Sequence, residues 1–223
     1  FTEGVPMDVA PHPHMGLQTV SWLLDGEIAH LDSLGSEAVL RPGGVNVMTS
    51  GAAIAHAEQT PRDHTGRLNG VQLWTALPEV DRHRAPAFQQ VPEVPRVELA
   101  GGLAQVFSGA LSGATSPADH FSPLVGADLQ VHRGARLTVP LVSGHEHALL
   151  VLDGHCALEG QPLEPFPETI LMWWNFVART LDEIRVARDD WEARRRFGEV
   201  PAYQGPRLVA PELMRLARPN PLS

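Results

Sequence analysis

The sequence predicts an all-β protein of two tandem barrels, each a small barrel or double-sheet roll, followed by a short C-terminal helix. Three observations carry that expectation. Twenty glycines and twenty prolines punctuate short Val/Leu-rich runs, the pattern of many short strands and tight turns. The segments VSWLLDGEIAHLDSLG at 20–35 and ALLVLDGHCALEG at 148–160 each place an apolar strand, Asp-Gly and a second strand in succession, so a hairpin with Asp-Gly in its turn is repeated. Only the stretch from about Thr180 to Phe197 reads as a helix.

Taken in order, the first barrel is expected over 1–95, with a hairpin at Asp25-Gly26, a turn at Pro42-Gly43-Gly44 and a Pro-rich linker from Pro86 to Pro95, PAFQQVPEVP. The second barrel, over 96–198, repeats the hairpin at Asp153-Gly154 and ends in the helix, and 199–223 is a tail. Thr180 can cap that helix with Glu183 three residues on, and Gly198 can stop it.

Composition narrows the function classes. With 223 residues and 43% hydrophobic content the chain can bury a substantial core. A formal charge of −9 argues against direct nucleic-acid binding through phosphate neutralisation. The basic cluster Arg194-Arg195-Arg196 follows Asp189, Asp190 and Glu192, which makes a solvated, salt-bridged surface. A single cysteine, Cys156, rules out an internal disulfide and a cysteine-rich zinc site; it is expected as a buried structural thiol in a reducing compartment. No apolar run approaches membrane-spanning length and no secretory pattern is seen, so a cytoplasmic protein without membrane contact is expected. Phosphate-cradling glycine loops and Gly-x-Ser-x-Gly elbows are absent from the sequence, which leaves phosphoryl transfer and serine hydrolysis without support.

The chemistry is concentrated in two short pairs. In a strand, residues two apart share a face, so His12 and His14 in APHPHMG present both imidazoles to one side while Pro13 points away. Proline places that stretch at a strand start or edge. In IAHAEQT, His56 and Glu58 have the same spacing and present an imidazole with a carboxylate. Three imidazoles and one carboxylate suit iron(II), manganese, nickel, cobalt or zinc, and an octahedral ion would keep two positions open for exogenous ligands. His145 and His147 form a further same-face pair without a downstream His-x-Glu partner, and are read as polar residues at the second barrel's mouth. His30, His64, His83, His120, His132 and His155 are scattered and receive no role. Trp173, Trp174 and Phe176 read as core packing, and Met48 as a wall of the first barrel.

The segments PHPHMGLQTVSWLLDGEIAHLDSLG, PGGVNVMTSGAAIAHAE, GVQLW and MWWNFVARTLDEI, in order across nearly the whole chain, resemble the pirin family of bicupins. The resemblance implies two tandem cupin barrels, with one metal ion in the first, held by His12, His14, His56 and Glu58, and none in the second. It also implies quercetin 2,3-dioxygenase activity, known in bacterial and mammalian members, while the mammalian protein is a nuclear, redox-sensitive transcriptional coregulator. Iron is the first expectation for the ion, with nickel, manganese, cobalt and zinc as alternatives.

The chain departs from the family where Met15, Leu17 and Gln18 replace the usual Arg, Phe and Glu, and where Ala52, Ala53 and Ile54 stand in the Gly-Arg-Gly-Ile stretch. Guanidinium donors near the site are therefore expected to be lost. Met15, Gln18 and Met48 become the candidate substrate-pocket residues. The resemblance implies further strands of the second barrel between about Pro165 and Phe166, where the sequence passes almost directly to MWWNF: either the protein has lost them or this sequence omits them, and a real loss would leave an edge open to another chain. Under the enzyme reading, a flavonol or similar enediol and O2 meet at the ion, and Glu58 either ligates it or serves as general base. The alternative is a metal-binding, redox-sensitive regulatory protein with a protein partner; an isomerase on the same fold is a third reading.

Overall fold

The computed structural model describes residues 7–61, 68–152 and 171–212. Its first half is a barrel of two four-stranded antiparallel sheets. The strands are β1 (Asp8–His14), β2 (Leu17–Asp25), β3 (Ile28–Asp32), β4 (Glu37–Leu40), β5 (Val45–Thr49), β6 (Ile54–Gln59), β7 (Asn69–Ala76) and β8 (Ala87–Val91). One sheet has the order β1-β6-β3-β4 and the other β7-β2-β5-β8.

That order corrects two sequence expectations. Asp25-Gly26 does not close a hairpin, because β2 and β3 lie in different sheets. Gly26, at φ +84°, instead takes the chain round a corner from one sheet to the other. Nor is Pro86–Pro95 a linker. Residues 87–91 form β8, paired along β5 with Phe88 opposite Met48; its prolines flank the strand, and the edge position needs no ladder bond on its outer side.

The second unit holds β9 (Arg96–Leu99), β10 (Gly102–Ser108), the short pair β11 (Ala110–Leu111) and β12 (Ala114–Thr115), and β13 (Gly126–Val131). Its sheet runs β13-β10-β9. Residues 132–152 carry no strand, so the strand expected before Asp153-Gly154 does not form there; the turn, Cys156, His155 and the shortening near Pro165–Phe166 lie outside the described residues. The two units meet in one core. Val20 and Trp22 of β2, Val45 and Val47 of β5, and Val91 pack with Phe107 of β10, whose ring stacks on Trp22 at 5.3 Å.

The chain then returns to the first barrel through the hairpin β14 (Leu171–Trp173) and β15 (Phe176–Ala178) and the helix α1 (Leu181–Glu192). The main-chain N–H of Val177 donates to Met15 at 3.1 Å, tying β15 to the end of β1. Ile184, Ala187 and Trp191 of α1 bury against Ala55 and Ala57 of β6 and against Met15, with Phe176, as expected for core packing, at the centre. Small residues at 55 and 57 let the helix approach the sheet. Thr180 caps α1 as expected, its hydroxyl accepting from the Glu183 N–H at 3.2 Å. The helix ends at Glu192, earlier than Phe197, because Arg194 and Arg196 adopt positive φ and turn Phe197 into the core, stacked on Phe176 at 5.4 Å. Arg195 and Arg196 pair with Asp190 at 3.0 and 3.8 Å, the salt-bridged surface the charge pattern implies. No helix among the described residues is long and apolar enough to cross a membrane.

Candidate metal centre

Strand alternation on β6 divides its side chains. Ala55 and Ala57 face α1, which leaves His56 and Glu58 for the opposite face. The neighbours complete that face. On one side His12 of β1 lies opposite His56; on the other, Asp32 of β3 lies opposite His56 and His30 opposite Glu58. A bulge between Val9 and His12 separates the His12 level from the Glu58 level on β1.

His12, His14 and His56 converge. Their ring centroids are 4.4–4.9 Å apart, one nitrogen of each lies within 4.8 Å of the others, and all three are buried. His12 Nδ1 donates to the Ala10 carbonyl at 2.9 Å, which leaves Nε2 as the lone-pair nitrogen. His14 Nε2 and His56 Nε2 stand 3.0 Å apart. Burial pulls all three rings below the ordinary histidine range, His14 and His56 furthest, and their mutual proximity adds to it for those two. Neutral imidazoles are what a divalent ion needs. Two nitrogens about 2.1 Å from a shared ion at a right angle stand about 3 Å apart, which the His14–His56 spacing meets. His14 Nδ1 is buried without a hydrogen bond of good geometry, the Asn175 main chain being the polar group beside the ring. The residues fit a metal ion.

Glu58 sits one level away, in a second, overlapping group with His30 and His56 whose ligand atoms also lie within 4.8 Å of one another. Its Oε1 accepts from the Gln72 amide at 2.7 Å. Burial raises the Glu58 carboxyl above its ordinary range, while His30 and the Gln72 amide work against that rise. Trp74, on the same edge strand as Gln72, sets its ring edge to face with His14 at 5.1 Å and donates to the Gln72 carbonyl at 3.3 Å. Being 36% exposed, Trp74 marks the mouth of the site.

Sequence reasoning left His30, Asp32, Gln72, Trp74 and Phe88 without roles. Phe88 stacks flat on His30 at 4.1 Å, and His30 Nε2 donates to Asp32 at 3.0 Å. A signal existed, since His30 and Asp32 have the same spacing of two as the pairs that were singled out. Of the candidate pocket residues, Met48 lies opposite Phe88 in the barrel wall. Gln18 is turned to the second unit, donating to Thr49 and to the Asp119 carbonyl at 3.0 Å each. Met15 packs in the core beneath α1 and borders a cavity of about 300 Å³ that Arg82, Glu183 and Arg196 also line. Near positions 15 and 52 a guanidinium does arrive from elsewhere, since Arg196 donates to the Ala52 carbonyl at 2.8 Å and lies 3.2 Å from the Met15 sulfur, but it stands on the α1 side of the sheet and contacts none of the three histidines or Glu58. His145 and His147 sit in the strandless stretch, half-exposed.

Comparison with known proteins agrees with this architecture. The family model described as Pirin matches residues 2–75, and that described as Pirin C-terminal cupin domain matches 157–198. A Pseudomonas aeruginosa protein named "Putative quercetin 2,3-dioxygenase" is 39% identical over 244 residues, covering 96% of this chain and 77% of that protein. That span is longer than this chain, so the relative carries residues within it that have no counterpart here. A pirin-like protein of Caulobacter vibrioides is 34% identical, covering 87% of this chain and 80% of its own length. The crystal structure of a quercetin 2,3-dioxygenase from Acinetobacter baumannii superposes with a TM-score of 0.88 at 38% identity, covering 98% of this chain and 83% of that one. The two-domain cupin architecture follows from these matches together with the strand order.

Proposed function

The chain belongs to the pirin family, and on that premise we propose that it is a metal-dependent dioxygenase of the quercetin 2,3-dioxygenase type, acting with O2 on a flavonol or similar enediol. The cupin over 1–95 carries the site and 96–198 forms the second cupin with the helix; 199–223 is expected as a tail, but its residues 199–212 pack on α1 and β1, with Val200 and Ala210 in the core, the Leu208 N–H donating to Pro11 at 2.8 Å and the Leu208 carbonyl accepting from the Trp191 indole at 2.9 Å. His12, His14 and His56 hold one divalent ion, iron being the first candidate, and Glu58 is the fourth ligand or the general base. The observation that carries the reading is the convergence of three buried, neutral imidazoles, two from β1 and one from β6, beside the buried carboxylate of Glu58 on β6.

A bound ion supplies Lewis acidity toward the substrate oxygens and a redox partner for O2. The rest is the work of the chain. Glu58, its carboxyl raised by burial, is matched to accept the proton of a substrate hydroxyl, and the Gln72 amide fixes the oxygen that does not take it. Trp74 offers a ring face or edge at the mouth on which a planar substrate can stack. The test is metal content by elemental mass spectrometry together with aerobic quercetin turnover, for wild type and Glu58→Gln. If Glu58 is the base, the variant keeps its metal and turnover falls about 10²–10⁴-fold; full metal with full turnover removes that role, and lost metal makes Glu58 a ligand. The absence of turnover in metal-loaded wild type would overturn the enzyme reading.

The second reading is a metal-binding regulatory protein. It is supported by Leu141, Val142, Leu149 and Leu150, apolar side chains exposed in the strandless stretch of the second unit, since such patches mark protein contacts.

A further inference from the structure

β3 brings to the site a histidine and a carboxylate that the proposed reaction does not use. Asp32 Oδ1 accepts two main-chain N–H groups, from Leu34 and Ser36, both at 2.9 Å. Its Oδ2 faces His30 Nε2 at 3.0 Å. A carboxylate held by fixed donors can only accept, so His30 carries its hydrogen on Nε2. Phe88, stacked on the ring at an interplanar angle of 9°, limits rotation out of that plane. In the neutral ring the lone pair of His30 is therefore on Nδ1, which stands 3.4 Å from His56 Nδ1. Two bare nitrogens would repel, so His56 Nδ1 donates. What remains on His56 is the Nε2 lone pair, 3.0 Å from His14 Nε2, which by the same rule carries the hydrogen of that contact until a bound ion displaces it.

We propose that Asp32 and His30 are positioning residues that lock His56 in its Nδ1–H tautomer and aim its Nε2 at the ion shared with His12 and His14. The proposal rests on the metal-binding reading above. It also decides between the two overlapping groups at the site. With His56 Nδ1 donating to His30, neither ring presents a lone pair for an ion between them, so the group of His30, His56 and Glu58 is not the seat of the metal.

Replacing Asp32 by Asn reverses the chain of hydrogens. The Asn oxygen would keep the Leu34 and Ser36 N–H groups and turn its NH2 toward His30. His30 would then carry hydrogen on Nδ1 and His56 on Nε2, the atom needed by the metal. His30→Leu removes the acceptor outright, whereas His30→Asn can set an amide oxygen near the position of Nδ1.

The experiment uses the full chain, stripped with chelator and titrated with Co2+ against a competing chelator, with the visible d–d spectrum recorded throughout. Asp32→Asn and His30→Leu should each weaken Co2+ binding about 10–100-fold and shift the d–d bands, while His30→Asn stays within a few-fold of wild type. Near-UV circular dichroism of each apo variant checks that it is folded, and His30→Asn keeps the test decisive if the leucine variant is not. Wild-type affinity and spectrum in Asp32→Asn and His30→Leu would overturn the proposal. So would His30→Asn losing metal as fully as His30→Leu, which would make His30 itself a ligand. Failure of the wild type to take up Co2+ at all would overturn the metal-binding reading and the proposal with it.

Discussion

Acidifying the chelator-treated protein should destabilise it through the site itself. His14 and His56 are fully buried and their pKa values are held well below 6.5 by burial; His12 is lowered less. In the unfolded chain the same rings titrate near 6.5. Below that value the unfolded state binds more protons than the native state, so stability is full above it and is lost as pH falls. Between about pH 7.5 and about pH 5.5, each ring that stays neutral in the fold costs about 1.4 kcal/mol. His14 and His56 together remove about 3 kcal/mol, and His12 adds part of another increment. His120, half-buried and also lowered by burial, acts in the same direction. Glu58 acts the opposite way, because its raised carboxyl is protonated in the fold before it is in the unfolded chain; it offsets part of the loss at the acid end. Asp32, held below 3.8 in spite of burial by His30 and Ser36, loses its contribution only under more acid conditions. Urea unfolding at each pH reads the effect as a falling midpoint at constant slope. His56→Leu should recover about 1.4 kcal/mol of the pH-dependent part. An unchanged midpoint across the window, or a variant as steep as wild type, would refute the reasoning.

Two further predictions concern how the site is framed. Phe107→Ala removes the ring that stacks on Trp22 between the two units and should cost about 3–5 kcal/mol in urea unfolding; a loss near that of an exposed residue would mean that the units do not share a core. Gly16 has φ +73°, and a Cβ there would collide with the main-chain oxygen of Val177. Gly16→Ala should therefore cost more than about 1–2 kcal/mol and, by pushing β15 off the end of β1, weaken metal uptake in the chelator competition.

What was legible in the sequence was whatever depends on one strand or one helix turn. Residues two apart share a face in any strand, so His12 with His14 and His56 with Glu58 could be paired before any fold was known. Thr180 with Glu183 is equally local. Which strands lie side by side is not local. Asp-Gly reverses the chain but does not say whether the flanking strands pair, and here a corner between sheets delivers β3 to the far side of β6. His30 and Asp32 enter the site by that pairing alone. Arg196 escaped for a related reason. The pattern from 180 to 197 reads as an unbroken helix, and only the burial of Phe197 in the structure bends the last turn so that the guanidinium reaches Ala52.

The placement of α1 explains how the candidate site is closed although the second unit has few strands among the described residues. The site residues lie between His12 and Phe88, all in the first barrel. The outer face of β6 is made of Ala55 and Ala57, and an alanine face is too thin to exclude water unaided. Ile184, Ala187 and Trp191 supply the missing apolar layer, and Val177 fastens the end of β1 one residue beyond His14. The second unit instead packs Phe107 on the other sheet, against Trp22 and away from β6. Two supports therefore act on different sheets, and the one nearest the histidines comes from residues 176–191. Changes in the chain between β13 and β14 act on the candidate metal centre only through the way that they deliver this clasp.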